Sequence, residues 1–466
     1  MHVAPDLLTS SPTGRRLTSK GLVALLSLLL AMAVWVMGLR DSLGRASVAP
    51  ALSLQQQEKA VLAHSALAPE LQPLLTGGDP STQLLKALLE VPLDRLDERQ
   101  RLLLASLTRD PAQRTAALAI PAQSDLFIAL QEALAAHQPG QPPAEEAIKL
   151  MAKEGWDPLL RQLACPALGG TAQQCARPED APAAARAARR LVLAELLPIA
   201  ALILGGLLLI RDLWVRFRGQ LPSWPVVVGP LLSPADMAIL VAGGFVLLGE
   251  VVLPVFVSPL LSALSQGQSG ALGQAIAVLG GYVCLAIPPL GILRLQLGGL
   301  PAEAIPQGGW LQWRPLPVVK ALLQGARGWL MVMPPVVFTG WLMGQVIGDQ
   351  GGSNPLLEMV LRSDNSLALV LLALTAVVLA PLFEELVFRG VLLPVLARWL
   401  GQGWGVVLSG LVFAVAHLSI GELPPLLVLG IGLALLRLSS GRLLPCVVMH
   451  ACWNGATFLN LVLLGS

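Results

Sequence analysis

The 466 residues are 55% hydrophobic and only 13% charged, about half the charged share of a soluble globular chain, and their mean hydropathy is +0.69. Most of the chain must then lie in lipid. The 31 Lys and Arg against 29 Asp and Glu leave a formal charge of +2, and no basic cluster is interleaved with aromatics, so a nucleic-acid surface is excluded. Five cysteines without any CxxC spacing make neither a disulfide framework nor a structural metal site.

The first apolar run, residues 21–39, follows Arg15, Arg16 and Lys20 and has the roughly 20 residues needed to cross about 30 Å of hydrocarbon. A basic flank ahead of the first span makes residues 1–20 a cytoplasmic tail. A cleaved signal peptide is the rival reading, but its apolar region would be unusually long, and Pro50 follows the small-residue stretch 46–49. An uncleaved anchor is favoured.

Residues 41–190 change character. Between 41 and 180 stand 12 Lys and Arg against 17 Asp and Glu, a net of −5. Segments 81–89, 98–107, 124–135 and 144–163 place Leu, Ala and Ile at helical spacing, with Pro and Gly between them. A small soluble helical domain is expected, outside the cytoplasm. Cys165 and Cys175 flank a polar stretch containing Gly169 and Gly170, which leaves open either a disulfide in an oxidising compartment or two unpaired thiols.

From residue 191 onward eight apolar runs follow, at about 191–210, 235–257, 271–293, 318–347, 366–388, 404–419, 424–438 and 443–464. The expected fold is all-α: a polytopic membrane helix bundle over 191–464, with an N-terminal transmembrane anchor and the small soluble domain. Connections at 211–232 and 294–317 carry arginines while 258–270 carries no charge, which supports the cytoplasmic start in a multi-pass membrane protein. Arg186, Arg189 and Arg190 dissent, because they then flank a span on the outer side.

Ionisable groups inside such spans cost at least about 2.5 kcal/mol each, so each needs a reason. They gather late in the chain, within 380–460. Residues 380–390 drop Glu384, Glu385 and Arg389 into an apolar run, and His417 and His450 sit in two further ones. On a helix, residues four apart share a face, so Glu385 neighbours Arg389 while Glu384 points about 100° away with no local counter-charge. A desolvated, unpaired carboxylate shifts toward the higher pKa that a general base near neutrality needs. His450 and Asn454 also share a face, and an imidazole beside an amide can bind a metal or polarise a carbonyl. Glu250, alone in its run, has no motif partner; it is expected to face the bundle interior and is given no role. Gly430 and Gly432 read as close helix packing.

These residues resemble the intramembrane CPBP group, which includes the CAAX prenyl endopeptidases and relatives linked to bacteriocin self-immunity (the Abi type). Its pattern of Glu-Glu-x-x-x-Arg, Phe-x-x-x-His and His-x-x-x-Asn stands here as Glu384-Glu385-Leu-Val-Phe-Arg389, Phe413-Ala-Val-Ala-His417 and His450-Ala-Cys-Trp-Asn454. The resemblance implies an eight-helix core and an endopeptidase in which Glu384 activates water. Glu385 and Arg389 then hold local geometry, and His417, His450 and Asn454 complete the site. It leaves open whether zinc is bound by His417, His450 and Glu384, or whether Glu384 acts without metal and His417 and Asn454 stabilise the oxyanion. The implied partners are the bilayer and a membrane protein or peptide substrate. A non-catalytic scaffold or chaperone of the same group, and a proton-coupled transporter, are the alternatives. Straight spans put Glu384 and His417 at opposite faces, so a helix break is expected at Pro381 to bring them to one depth.

Overall fold

A computed structural model of the chain describes residues 18–465, apart from 46, 139–140, 154–155, 221–223, 266–269 and 349–350. Arg15, Arg16 and part of the uncharged 258–270 connection therefore lie outside the described residues. Every regular element among the described residues is helical, as lipid demands, because a spanning helix satisfies its backbone donors and acceptors within itself. Among the described residues eight helices are long and apolar enough to cross a membrane, and the protein is a polytopic helical membrane protein.

In chain order the main helices are α1 (Ser19–Ser42), α2 (Ala49–Ala63), α3 (Pro80–Glu90), α4 (Glu98–Leu107), α5 (Pro111–Leu118), α6 (Asp125–Ala136), α7 (Glu145–Met151) and α8 (Pro158–Ala167). They continue with α9 (Asp180–Phe217), α10 (Pro234–Leu261), α11 (Ala271–Gly298), α12 (Val318–Ile347), α13 (Ser366–Leu400), α14 (Gln402–Val415), α15 (Leu423–Ser440) and α16 (Leu444–Leu464). The chain divides into two compact units, one of Leu43–Leu221, Trp329–Ala373 and Cys452–Ser466, the other of the stretch up to Ser42, Pro222–Gly328 and Leu374–Ala451.

In the first of these units, three Asp-Pro pairs start helices. Asp79, Asp110 and Asp157 accept hydrogen bonds from the first free backbone N–H groups of α3, α5 and α8, and Pro80, Pro111 and Pro158 stand at the first helical position, where a proline's missing donor costs nothing. The helix expected over 144–163 is two helices for this reason: Asp157 and Pro158 begin α8 afresh, with 154 and 155 outside the described residues. Leu84, Leu88, Leu103, Leu130, Leu134 and Leu160 form a fully buried core. Cys165 and Cys175 are joined in a disulfide. Gly169 adopts a positive φ of 81°, and a Cβ on Gly170 would lie 2.6 Å from Cys165 Sγ and 2.8 Å from Cys175 Sγ, so glycine is needed at both positions for the chain to fold back.

In the other unit, α1 is more than a tether. Its Lys20 pairs with Asp236 of α10 at 2.6 Å; Ser27 lies against Gly243 and Gly38 against Leu418; and Ser42 Oγ accepts from Ile420 N at 3.1 Å. The anchor thereby braces the turn after His417, where Leu418 takes a positive φ of 50°.

The break expected at Pro381 does not occur, because α13 runs unbroken from Ser366 to Leu400. It winds instead as π-turns over Leu374–Leu379 and Leu386–Leu392. A π-turn takes an extra residue, so the widened helix accepts a proline that a regular α-helix would reject. Ser409 Oγ donates to the Phe388 carbonyl at 3.4 Å inside the second π segment.

The depth problem that called for a break is resolved by helix length. At 1.5 Å per residue α13 is roughly 50 Å long, with Glu384 near its middle. Conversely the run at 404–419, expected to span, is the 14-residue α14, about 21 Å long and too short for the hydrocarbon core. His417 stands just past its end, so a helix of this length entering from one face would leave it within the hydrocarbon.

Candidate active site

Three helices bring Glu384, Glu385, Arg389, Phe413, His417 and His450 together. Glu385 and Arg389 on α13 are both 0% exposed, with Arg389 Nη1 donating to Glu385 Oε1 at 2.9 Å. The same oxygen lies 2.8 Å from His450 Nδ1 on α16. A carboxylate that already holds an arginine is ionised and only accepts, so Nδ1 carries the proton and Nε2 faces the other way. Nε2 lies 3.9 Å from Glu384 Oε2.

Glu384 differs from its neighbour in access. Its side chain is 14% exposed where Glu385 has none. One oxygen, Oε1, accepts from the hydroxyl of Tyr282 on α11 at 3.1 Å; the other, Oε2, is buried without a hydrogen-bond partner. The carboxylate is therefore hydrogen-bonded on one side and buried without a hydrogen bond on the other.

Phe413 of α14 is the spacer of the cluster. Its ring stands edge-on to His417 at 4.9 Å and to His450 at 5.6 Å between centroids, and the Arg389 guanidinium lies 4.4 Å over it. A cation over an aromatic face gains stabilisation that grows when both are dry. Arg389 Nη2 also donates to the Gly430 carbonyl on α15 at 3.1 Å. That contact depends on a close crossing of α14 and α15, where a Cβ on Gly430 would lie 2.9 Å from Gly410 Cα. His417 Nδ1 is 2.8 Å from the Phe413 carbonyl of its own helix, and since a carbonyl only accepts, this nitrogen carries a proton too. Asn454 lies one turn beyond His450 on α16.

The zinc set does not assemble. Among the described residues no group of three or more His, Cys, Asp or Glu is placed to hold a metal ion. His450 offers Nε2 toward Glu384 at 3.9 Å, and its Nδ1 bonds Glu385, a contact that a metal-bound histidine would also make. Among the described residues the Glu384 and His450 pair thus lacks the third protein ligand that a catalytic zinc site uses.

Two residues of this cluster carry no motif. Tyr282 is the single tyrosine of the chain, set in an apolar helix 102 residues away from the carboxylate it bonds; its rarity was the one available signal. Glu250 on α10 has its Oε2 buried and unpartnered and lies within electrostatic reach of Glu384, which gives a place at the site to a carboxylate that the sequence left without a role.

Residues 366–456 match the family model described as type II CAAX prenyl endopeptidase Rce1-like. Residues 49–186 match a model described as a domain of unknown function, DUF8675. The chain is also similar to an uncharacterised 24.3 kDa protein of Escherichia coli, 32% identical over 142 residues that make up 29% of this chain and 64% of that protein. It thus spans just under two thirds of that relative's length. No solved structure matches. The chain is thus a multi-pass helical membrane protein whose residues 366–456 are similar to the type II CAAX prenyl endopeptidases.

Proposed function

We propose that the chain is an intramembrane endopeptidase in which Glu384, acting without metal, activates the water that attacks a peptide carbonyl. The observation that carries this reading is the opposition of Glu384 Oε2 and His450 Nε2 at 3.9 Å. Both are acceptors when the imidazole is neutral and protonated on Nδ1, and their separation is too long for a direct hydrogen bond but suits one bridging water. Such a water gives one hydrogen to each. Its proton passes to Glu384 as the oxygen attacks, and Glu384 then delivers it to the leaving amine.

Glu385 and Arg389 are positioning residues here, since neither is exposed to substrate; they fix the tautomer of His450. On the resemblance of the motifs, Asn454 is assigned as a neutral donor to the oxyanion. His417 can donate through Nε2 only as an imidazolium, because its Nδ1 proton is already held by the Phe413 carbonyl. The substrate class is a peptide segment of a membrane protein or a membrane-bound peptide, reached at the depth where α14 ends. The soluble helical domain, residues 49–186, is assigned to recruiting or gating that substrate outside the cytoplasm, a placement supported by its acidic surface and its disulfide.

Comparative proteomics of membrane fractions with wild-type and Glu384→Gln protein tests the activity. A peptide with a new terminus that disappears in the variant, while the variant stays folded, supports the peptidase. An unchanged set of termini, with the cellular function retained, identifies a scaffold instead.

A further inference from the structure

The three arginines that dissent from the charge asymmetry of the loops, Arg186, Arg189 and Arg190, line a cavity of about 590 Å³ together with Lys59 of α2, Leu62 of α2 and Leu193 of α9. Four cations thus come from two helices onto one concave surface. Several acidic groups of the same unit hold partners of their own. Glu58 and Asp157 are both engaged by Arg99, Glu58 at 2.6 Å; Glu179 and Asp180 are engaged by Arg161; and Glu195 accepts from Gln56 at 2.6 Å.

The cavity also has a defined position relative to lipid. Immediately beyond it α9 turns apolar, and Leu193, Leu197 and Ile199 are 44%, 50% and 45% exposed, a surface that hydrocarbon covers. The cations therefore stand at headgroup depth, with an apolar wall on the membrane side. A solvated basic face would put its charges outward on one helix. Here Lys59 reaches in from a second one, and burial beside Arg190 lowers its pKa to about 8, a cost that a bound anion relieves.

We propose that this cavity binds the phosphate of an anionic phospholipid headgroup, with Lys59, Arg186, Arg189 and Arg190 around the phosphate and Leu62 and Leu193 against the first acyl carbons. Arginine suits the task because its planar fork matches phosphate oxygens in pairs. The same charges that argue against an outer position on a simple count are then explained as a lipid site, on whichever face they lie.

Native mass spectrometry of the full-length chain in detergent, titrated with phosphatidylglycerol or phosphatidylcholine, tests this. Wild type is expected to retain one phosphatidylglycerol per chain under conditions that strip phosphatidylcholine. Each removed cation weakens binding about fivefold, so Arg186→Gln/Arg189→Gln should bind more than tenfold more weakly. Both side chains are exposed, and an unchanged size-exclusion profile checks the fold. Lys149→Gln, which removes an exposed charge paired with Glu145 on α7, should bind as wild type does. Equal retention of the two lipids, undiminished binding by the double variant, or the same loss in Lys149→Gln overturns the site. Displacement of the lipid by millimolar inorganic phosphate makes the free ion the ligand and overturns the lipid assignment.

Discussion

Tyr282 donates its hydroxyl proton to Glu384 Oε1 at 3.1 Å, and in doing so decides which carboxylate oxygen is left to face His450. A hydrogen bond to a charged group contributes about 1.5–3 kcal/mol. Its loss in Tyr282→Phe frees the carboxylate to rotate away from the attacking water. The expected outcome is a fall of about 10- to 100-fold in kcat with KM unchanged, read as the rate at which the new terminus appears. A variant as fast as wild type would show that the phenol only packs against Phe383, its edge-on neighbour at 6.2 Å.

Glu385 and Arg389 form a wholly buried pair, and breaking such a pair from one side leaves a charge with no solvent to stabilise it. Arg389→Met is expected to cost about 3–5 kcal/mol of stability. Glu385→Gln/Arg389→Met should recover part of that loss, because the double variant leaves no uncompensated charge. Unfolding midpoints of wild type, Glu385→Gln, Arg389→Met and the double variant in detergent measure the coupling, and simple additivity of the two single costs would mean that the residues do not depend on one another.

How far this arrangement can be read from sequence depends on the range of each signal. The Glu385 to Arg389 spacing is local, four residues on one helix, and the apolar runs are read from some 20 residues each; seven of the eight runs after residue 190 are long enough as helices to span. The run at 404–419 differs because hydropathy continues past Val415 while the helix stops there, and composition does not report a chain turn made by a non-glycine residue such as Leu418. Pro381 misled for a related reason. A π-turn has no periodic signature, so a proline that reads as a break is accommodated in an unbroken helix. Tyr282 and Glu250 reach Glu384 only through packing, from helices more than 100 residues upstream in the chain. No pattern of neighbours marks them.

Zinc dependence separates two chemistries for the same residues. With no third metal-donor side chain beside Glu384 and His450 among the described residues, peptide cleavage by Glu384 should survive prolonged treatment with 1,10-phenanthroline within about twofold, the water being held by the two side chains alone. Loss of activity on chelation, restored by zinc alone, would require His417, His450 and Glu384 to regroup and would replace the metal-free mechanism.

The Cys165–Cys175 bridge closes a short loop between residues ten apart, and loss of such a crosslink costs about 2–3 kcal/mol through the freedom it restores to the unfolded chain. In the native host both thiols should resist maleimide until a reductant is added, whereas Cys452, half-buried and unbridged, needs no reductant. The Cys165→Ala/Cys175→Ala protein should unfold at a lower temperature. Two thiols that label fully without reductant would put residues 49–186 in a reducing compartment and reverse the orientation inferred from the loops.

Lys59 gives a pH dependence whose sign follows from burial. Burial, then the charge of Arg190, lowers it from 10.5 to about 8, against the opposing pull of Glu58 and Asp157, while Arg99 adds to the lowering. Below pH 8 both folded and unfolded chains hold the proton, and the full penalty of a buried ammonium is present. Between pH 8 and 10.5 the folded chain has released it and the unfolded chain has not. The unfolded state then binds more protons, so stability rises with pH across that window. Arg99 and Arg190 keep their charges throughout. The unfolding midpoint of the lipid-free protein should therefore climb from pH 8 to pH 10 relative to Lys59→Met, which should be more stable than wild type at pH 7 and lose that advantage as the pH rises. Saturation with phosphatidylglycerol should flatten the difference, because an anion beside Lys59 holds its proton in place; parallel curves for the two proteins would show that Lys59 is solvated and that burial exerts no such pull.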